Sequence, residues 1–115
     1  MTNKTTPTFL FTDIEGSTRL WENDPQSMKL ALQRHDAILR EAINTHNGLI
    51  FKTVGDAFCA TFSTPIDALR AALSAQRACL AEPWQPAAIR VRMALHTGAA
   101  EERDGDYFGQ PVNRV

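Results

Sequence analysis

The stretch LIFKTVGDAFCATF, residues 49–62, decides the fold. Leu49 to Val54 and Ala57 to Phe62 are two strand-like runs, and only Gly55-Asp56 lies between them. Two residues of that kind are the length a tight hairpin turn requires. On the N-terminal side, Asn47-Gly48 stops a long amphipathic helix, in which Met28, Ala31, Leu32, His35, Ile38, Leu39, Ala42 and Ile43 recur at spacings of three and four. Asp24 as N-cap and Pro25 in the first turn open that helix. Earlier still, TFLFTDI (Thr8 to Ile14) reads as a buried strand whose one charge, Asp13, sits at its end.

Beyond the hairpin, Thr64-Pro65-Ile66-Asp67 supplies an N-cap, a first-turn proline and an early acid. Ile66, Leu69, Ala72, Leu73, Gln76 and Leu80 continue a helical stripe as far as Glu82-Pro83. Ile89, Val91, Met93 and Leu95 then alternate with Arg90, Arg92, Ala94 and His96, a half-buried strand closed by Gly98. Strand, helix, strand, strand, helix, strand is the ferredoxin-like βαββαβ pattern: an α+β domain with an antiparallel sheet and two helices on one face. Residues 1–7 read as a loose tail and 8–115 as one domain.

With 12 Lys and Arg against 13 Asp and Glu, and no long basic run, the chain has no electrostatic footprint for duplex nucleic acid or anionic lipid. No apolar run approaches the ~20 residues of a membrane span, and Met1 to Thr8 lacks the apolar core of a signal peptide. The expected setting is cytoplasmic, without membrane or nucleic-acid contact. Cys59 and Cys79 have neither metal spacing nor disulfide density and read as buried, reduced thiols. His35, Trp21 and Trp84 read as packing residues, and His46 suits a helix C-terminus.

Asp13 and Asp56 interrupt apolar strand sequence. In this fold the first strand is central, so the hairpin can bring Asp56 beside Asp13. Adjacent carboxylates repel unless a cation lies between them, and hard divalent ions with oxygen ligands are the usual solution. The plainer alternative is that Asp56 is an ordinary turn residue and Asp13 a helix cap. Glu15, Gly16, Ser17 and Thr18 follow the first strand where a helical turn would begin, leaving backbone N–H groups for phosphate oxygens.

Four blocks carry a family resemblance: FTDIEGSTRLWE (Phe11 to Glu22), FKTVGDAFCATF (Phe51 to Phe62), RVRMALHTGAAE (Arg90 to Glu101) and DYFGQPVN (Asp106 to Asn113). In order and spacing they resemble the class III adenylyl/guanylyl cyclase catalytic domain over nearly the whole chain. The resemblance implies that Asp13, Asp56 and the Ile14 carbonyl bind two Mg²⁺ or Mn²⁺ ions. It implies that Lys52 and Asp106 read the purine, with Asp104 a competitor for the acidic role. A lysine donor facing adenine N1 and a carboxylate accepting from its N6 amine favour ATP. Asn113 matches the asparagine that orients the ribose. The family's transition-state arginine falls four residues later, past Val115, and Arg114 would lie on another helical face. The chain therefore reads as an N-terminal portion of the catalytic domain, inactive by itself. The family forms a head-to-tail homodimer in which each site takes its metal aspartates from one protomer and its purine pair, asparagine and arginine from the other. The competing readings are a non-catalytic cyclase-like module, a guanylyl cyclase, a diguanylate cyclase and an RNA-recognition domain. Against the last two, this hairpin lacks both the Gly-Gly-Asp/Glu-Glu-Phe turn and the basic, glycine-containing aromatic signature.

Overall fold

The computed structural model describes residues 6–85 and 87–98, together with the backbone of 101–103 and 106–108. The order is β1 (Thr8–Ile14), α1 (Ser17–Asn23), α2 (Pro25–Thr45), β2 (Leu49–Val54), β3 (Ala57–Phe62), α3 (Pro65–Ala81), β4 (Val91–Thr97), β5 (Glu101–Arg103) and β6 (Asp106–Phe108). β1 to β4 form one antiparallel sheet in the order β2-β3-β1-β4, and β5 pairs with β6 in a separate hairpin. The ferredoxin-like core is as expected. The short helix α1 and the β5–β6 hairpin add to it.

Local chemistry explains the boundaries. The Asp24 carboxylate accepts from the Ser27 amide (3.2 Å) and hydroxyl (2.7 Å), and the Thr64 hydroxyl accepts from the Asp67 amide (3.2 Å). Gly55 takes the positive φ at the first turn residue of the β2–β3 hairpin. The α2 stop is tighter. Asn47 turns into the left-handed region, and the Gly48 amide donates back to the Ile43 carbonyl at 2.8 Å. A β-carbon at Gly48 would lie 2.5 Å from the Phe62 ring and 2.6 Å from Ile43, both buried core side chains. Gly48→Ala is therefore expected to destabilise the chain by about 2 kcal/mol through overpacking. A urea midpoint unmoved from that of the unaltered chain would contradict this reading.

One face of the sheet is the core. Leu10, Ile14, Phe58, Ala60, Phe62 and Val91 meet Met28, Ile38, Leu39, Ala42 and Ile43 of α2 and Ala68, Ala71, Ala75 and Cys79 of α3. The α2 stripe is the one the periodicity indicates. On α3 the expectation is corrected. Ile66, Leu69, Leu73 and Leu80 are between 47% and 89% exposed, and the core-facing residues are the small ones on the opposite side. Both sides of α3 are apolar, so periodicity cannot choose between them. Close helix–sheet packing selects the side with the smaller side chains. The fourth strand also starts at Val91, not Ile89, and Leu95 at its far end is exposed. Of the two thiols, Cys79 is buried and its pKa is pushed up by that burial, whereas Cys59 is only half-buried. His35 is fully buried. Trp84 packs against the core with its indole N–H donating to the Cys79 carbonyl at 2.8 Å. Among the described residues no helix is long and apolar enough to cross a membrane.

Candidate active site

The other face of the sheet carries Asp13 and Arg92 beside the apolar Phe9, Phe11, Cys59 and Ala94. Antiparallel register sets Phe11 against Cys59 and Ala94, and Asp13 against Arg92, and directly opposed residues share a face. Asp13 stands near the end of β1, where the strand leaves the sheet for the loop at Glu15. The Glu15 amide still donates to the Arg90 carbonyl at 2.8 Å, so the strand end is pinned. A shallow cleft of about 290 Å³ runs along this face, lined by Phe11, Asp13, Cys59, Arg92 and Ala94 among others.

The hairpin delivers Asp56 to the same corner. Its Oδ1 lies 3.4 Å from the Ile14 amide, a long hydrogen bond that sets the Asp56 carboxylate at the residue next to Asp13. Thr12 holds the hairpin root: its buried hydroxyl accepts from the Phe58 amide at 3.2 Å. The Phe58 ring is held in turn between His35, edge-on at 5.8 Å, and the Arg40 guanidinium at 5.2 Å. The turn that carries Asp56 is thus anchored to both β1 and α2.

Lys52 reaches the open face through an irregularity. β2 pairs Ile50 with Ala60 and Lys52 with Cys59, so Phe51 is an extra residue in the ladder, a β-bulge. Strict alternation would put Lys52 on the helix side with Ile50; the bulge aligns it with Cys59 and therefore with Asp13. Phe51 packs edge-on against Phe9 at 6.0 Å. The backbone of β6, which begins at Asp106, approaches β2. Asn113 and Asp104 lie outside the described residues, as does the tail before Thr6, and of the Asp106 side chain nothing is described.

Gly16, in the left-handed region, starts α1, and no side chain caps that helix. Glu15, Gly16 and Thr18 are exposed and Ser17 is half-buried.

Sequence reading missed Arg92. It binds Asp13 at two points, Nε to Oδ1 at 2.8 Å and a terminal nitrogen to Oδ2 at 2.7 Å. Its hydrogen bonds and charge pairing with Asp13, followed by the charges of Glu15 and Asp56, raise the guanidinium pKa further above its ordinary value. The signal was present in the alternation of β4, which puts Arg92 on the side away from the core, but only the register shows which β1 residue it faces.

Among the described residues no three His, Cys, Asp or Glu side chains converge. Two carboxylates and a backbone carbonyl nevertheless suit Mg²⁺ or Mn²⁺. Hard ions of this kind take one or two protein carboxylates and complete their shell with water and substrate phosphate.

An antiparallel ferredoxin-like sheet, with helices on one face, Asp13 on the other and Asp56 at the end of the same strand, is the palm-like arrangement. A sequence model described as the adenylate and guanylate cyclase catalytic domain matches residues 1–114, and the chain belongs to that family. An uncharacterized protein of Mycobacterium tuberculosis is 40% identical over 112 residues, a match covering 96% of this chain and 37% of that protein. The adenylate cyclase of Lachancea kluyveri is 43% identical over 132 residues, covering 92% of this chain and 7% of its own length. Among solved structures, adenylate cyclase from Trypanosoma brucei in its monomeric state superposes with a TM-score of 0.90 at 26% identity, covering 96% of this chain and 67% of that one. An adenylate/guanylate cyclase/hydrolase from Silicibacter pomeroyi gives 0.78 at 31%, covering 94% and 65%.

Proposed function

We propose that this chain carries the metal-binding aspartates of a nucleotide cyclase catalytic domain that converts ATP to 3′,5′-cyclic AMP and pyrophosphate. The observation that carries the reading is the Asp56 carboxylate at the Ile14 amide, one residue along the chain from Asp13. Asp13, Asp56 and the Ile14 carbonyl would hold two divalent ions, Mg²⁺ or Mn²⁺. Such ions supply Lewis acidity, favouring loss of the ribose 3′-hydroxyl proton and offsetting charge on the leaving pyrophosphate.

The chain's own residues orient the substrate. The 3′-oxygen attacks the α-phosphorus while the bond to pyrophosphate breaks, so no covalent enzyme intermediate is needed. The loop of Glu15, Gly16, Ser17 and Thr18 lies next to Asp13, and the amides of Gly16, Ser17 and Thr18 would donate to phosphate oxygens, the Glu15 amide being engaged by the Arg90 carbonyl. Lys52 on the open face and Asp106 at the start of β6 form the purine-reading pair, favouring ATP over GTP. Asn113 orients the ribose.

Head-to-tail homodimerisation completes each site, with metal aspartates from one protomer and the purine pair and Asn113 from the other. Mixing supplies the test. The chain is combined with a longer cyclase domain of the same family in which both metal aspartates are replaced by Ala. Mn²⁺-dependent cyclic AMP is expected from the mixture and from neither component alone. A heterodimer seen by sedimentation that produces none would overturn the reading.

A further inference from the structure

Arg92 stands directly across the β1–β4 pair from Asp13 and occupies both of its carboxylate oxygens, at 2.8 and 2.7 Å. A paired guanidinium and carboxylate of this forked geometry is the strongest form of a side-chain ion pair, and lysine could not reproduce it. A divalent ion at Asp13 needs at least one of the same oxygens, and it would arrive where a positive charge already sits. The Arg92 side chain is 64% exposed and that of Asp13 45%. The pair is therefore open to water, and the guanidinium has room to turn away without leaving a buried charge behind. Exposure of both side chains lowers the cost of separating them, so a divalent ion can displace the guanidinium.

We infer that Arg92 is a built-in competitor for the metal site: it holds Asp13 in position and must release it before Asp13 can ligate an ion, so that Arg92 sets the metal affinity of the chain. The inference rests on the reading of Asp13 and Asp56 as metal ligands. Arg92 acts here through Asp13 and is a positioning residue. Its geometry follows from two features already described. The antiparallel register sets the two residues opposite one another, and the Glu15–Arg90 hydrogen bond two residues away keeps the strand ends from sliding.

The experiment titrates Mn²⁺ into the full chain without nucleotide and follows the free-ion signal by electron paramagnetic resonance. Removing a competing charge within a few ångströms of the ion, in Arg92→Gln, is expected to tighten binding by about five- to tenfold. Arg92→Lys, which keeps charge but loses the fork, should fall between Arg92→Gln and the unaltered chain. An unchanged or weaker affinity in a folded Arg92→Gln variant overturns the inference. Should that variant fail to fold, the unaltered chain still decides through the NMR resonance of the Arg92 Nε–H, which is expected to shift as Mg²⁺ saturates the site. A resonance indifferent to saturation overturns the inference as well. Asp13→Asn separates the two levels of the argument. If it binds Mn²⁺ as the unaltered chain does, the metal-ligand reading fails and the competition with it. If it loses Mn²⁺ while Arg92→Gln changes nothing, only the role of Arg92 fails.

Discussion

In the mixed dimer with a metal-dead partner, Asp13→Ala or Asp56→Ala in this chain is expected to lower Mn²⁺-dependent cyclic AMP formation by about 10³-fold, equivalent to several kcal/mol of lost charge stabilisation. The two positions should be nearly equivalent. Neither carboxylate can be replaced from nearby, because no third acidic, histidine or cysteine side chain converges with them among the described residues. Folding should survive both changes. Asp13 is half-buried at a strand end and Asp56 lies in a turn, so the loss of either leaves the apolar core untouched. Activity assays are to be read beside a thermal melt. A variant that melts like the unaltered chain and still turns over within tenfold of it would remove that aspartate from the metal site.

The second large effect concerns the base. Lys52→Glu together with Asp106→Cys reverses the hydrogen-bonding pattern presented to the purine edge, since guanine carries a donor at N1 and an acceptor at O6 where adenine carries the opposite. A site built to pair with one pattern leaves buried polar groups unpaired with the other, and the expected change in the ATP-to-GTP preference is roughly 10²-fold or more. Competition of the two nucleotides against a fluorescent analogue measures it in the homodimer of this chain, where both sites carry the altered pair. Should the unaltered chain already prefer GTP, the base-reading assignment is wrong. Lys52→Glu alone should weaken ATP without creating a full preference for GTP, because each residue meets a different atom of the base.

Punctuation residues made the fold legible. Gly55-Asp56, Asn47-Gly48, Asp24-Pro25 and Thr64-Pro65 act over two to five residues, through local φ preferences and caps, so their consequences can be read without knowing what lies across the sheet. The two aspartates were legible for a similar reason: a charge within an apolar strand run needs a cause. What escaped depends on distant partners. Arg92 looks like any solvent-side strand arginine until the register sets it against Asp13. The core face of α3 was misread because leucines and isoleucine lie on one side and alanines on the other, and hydrophobic weight points to the wrong side. Phe51 reads as one more apolar residue in a regular strand, and nothing local marks it as the extra member of a bulge.

That bulge has a consequence for the molecule in solution. β2 forms an outer edge of the four-stranded sheet. An outer strand with evenly spaced backbone donors and acceptors is a template on which a second chain can add, the first step of edge-to-edge aggregation. The extra residue at Phe51 breaks that even spacing near the middle of the strand, and the next residue is an exposed lysine whose charge opposes stacking of identical chains. The irregularity that aligns Lys52 with the open face thus also spoils β2 as a template for intermolecular pairing.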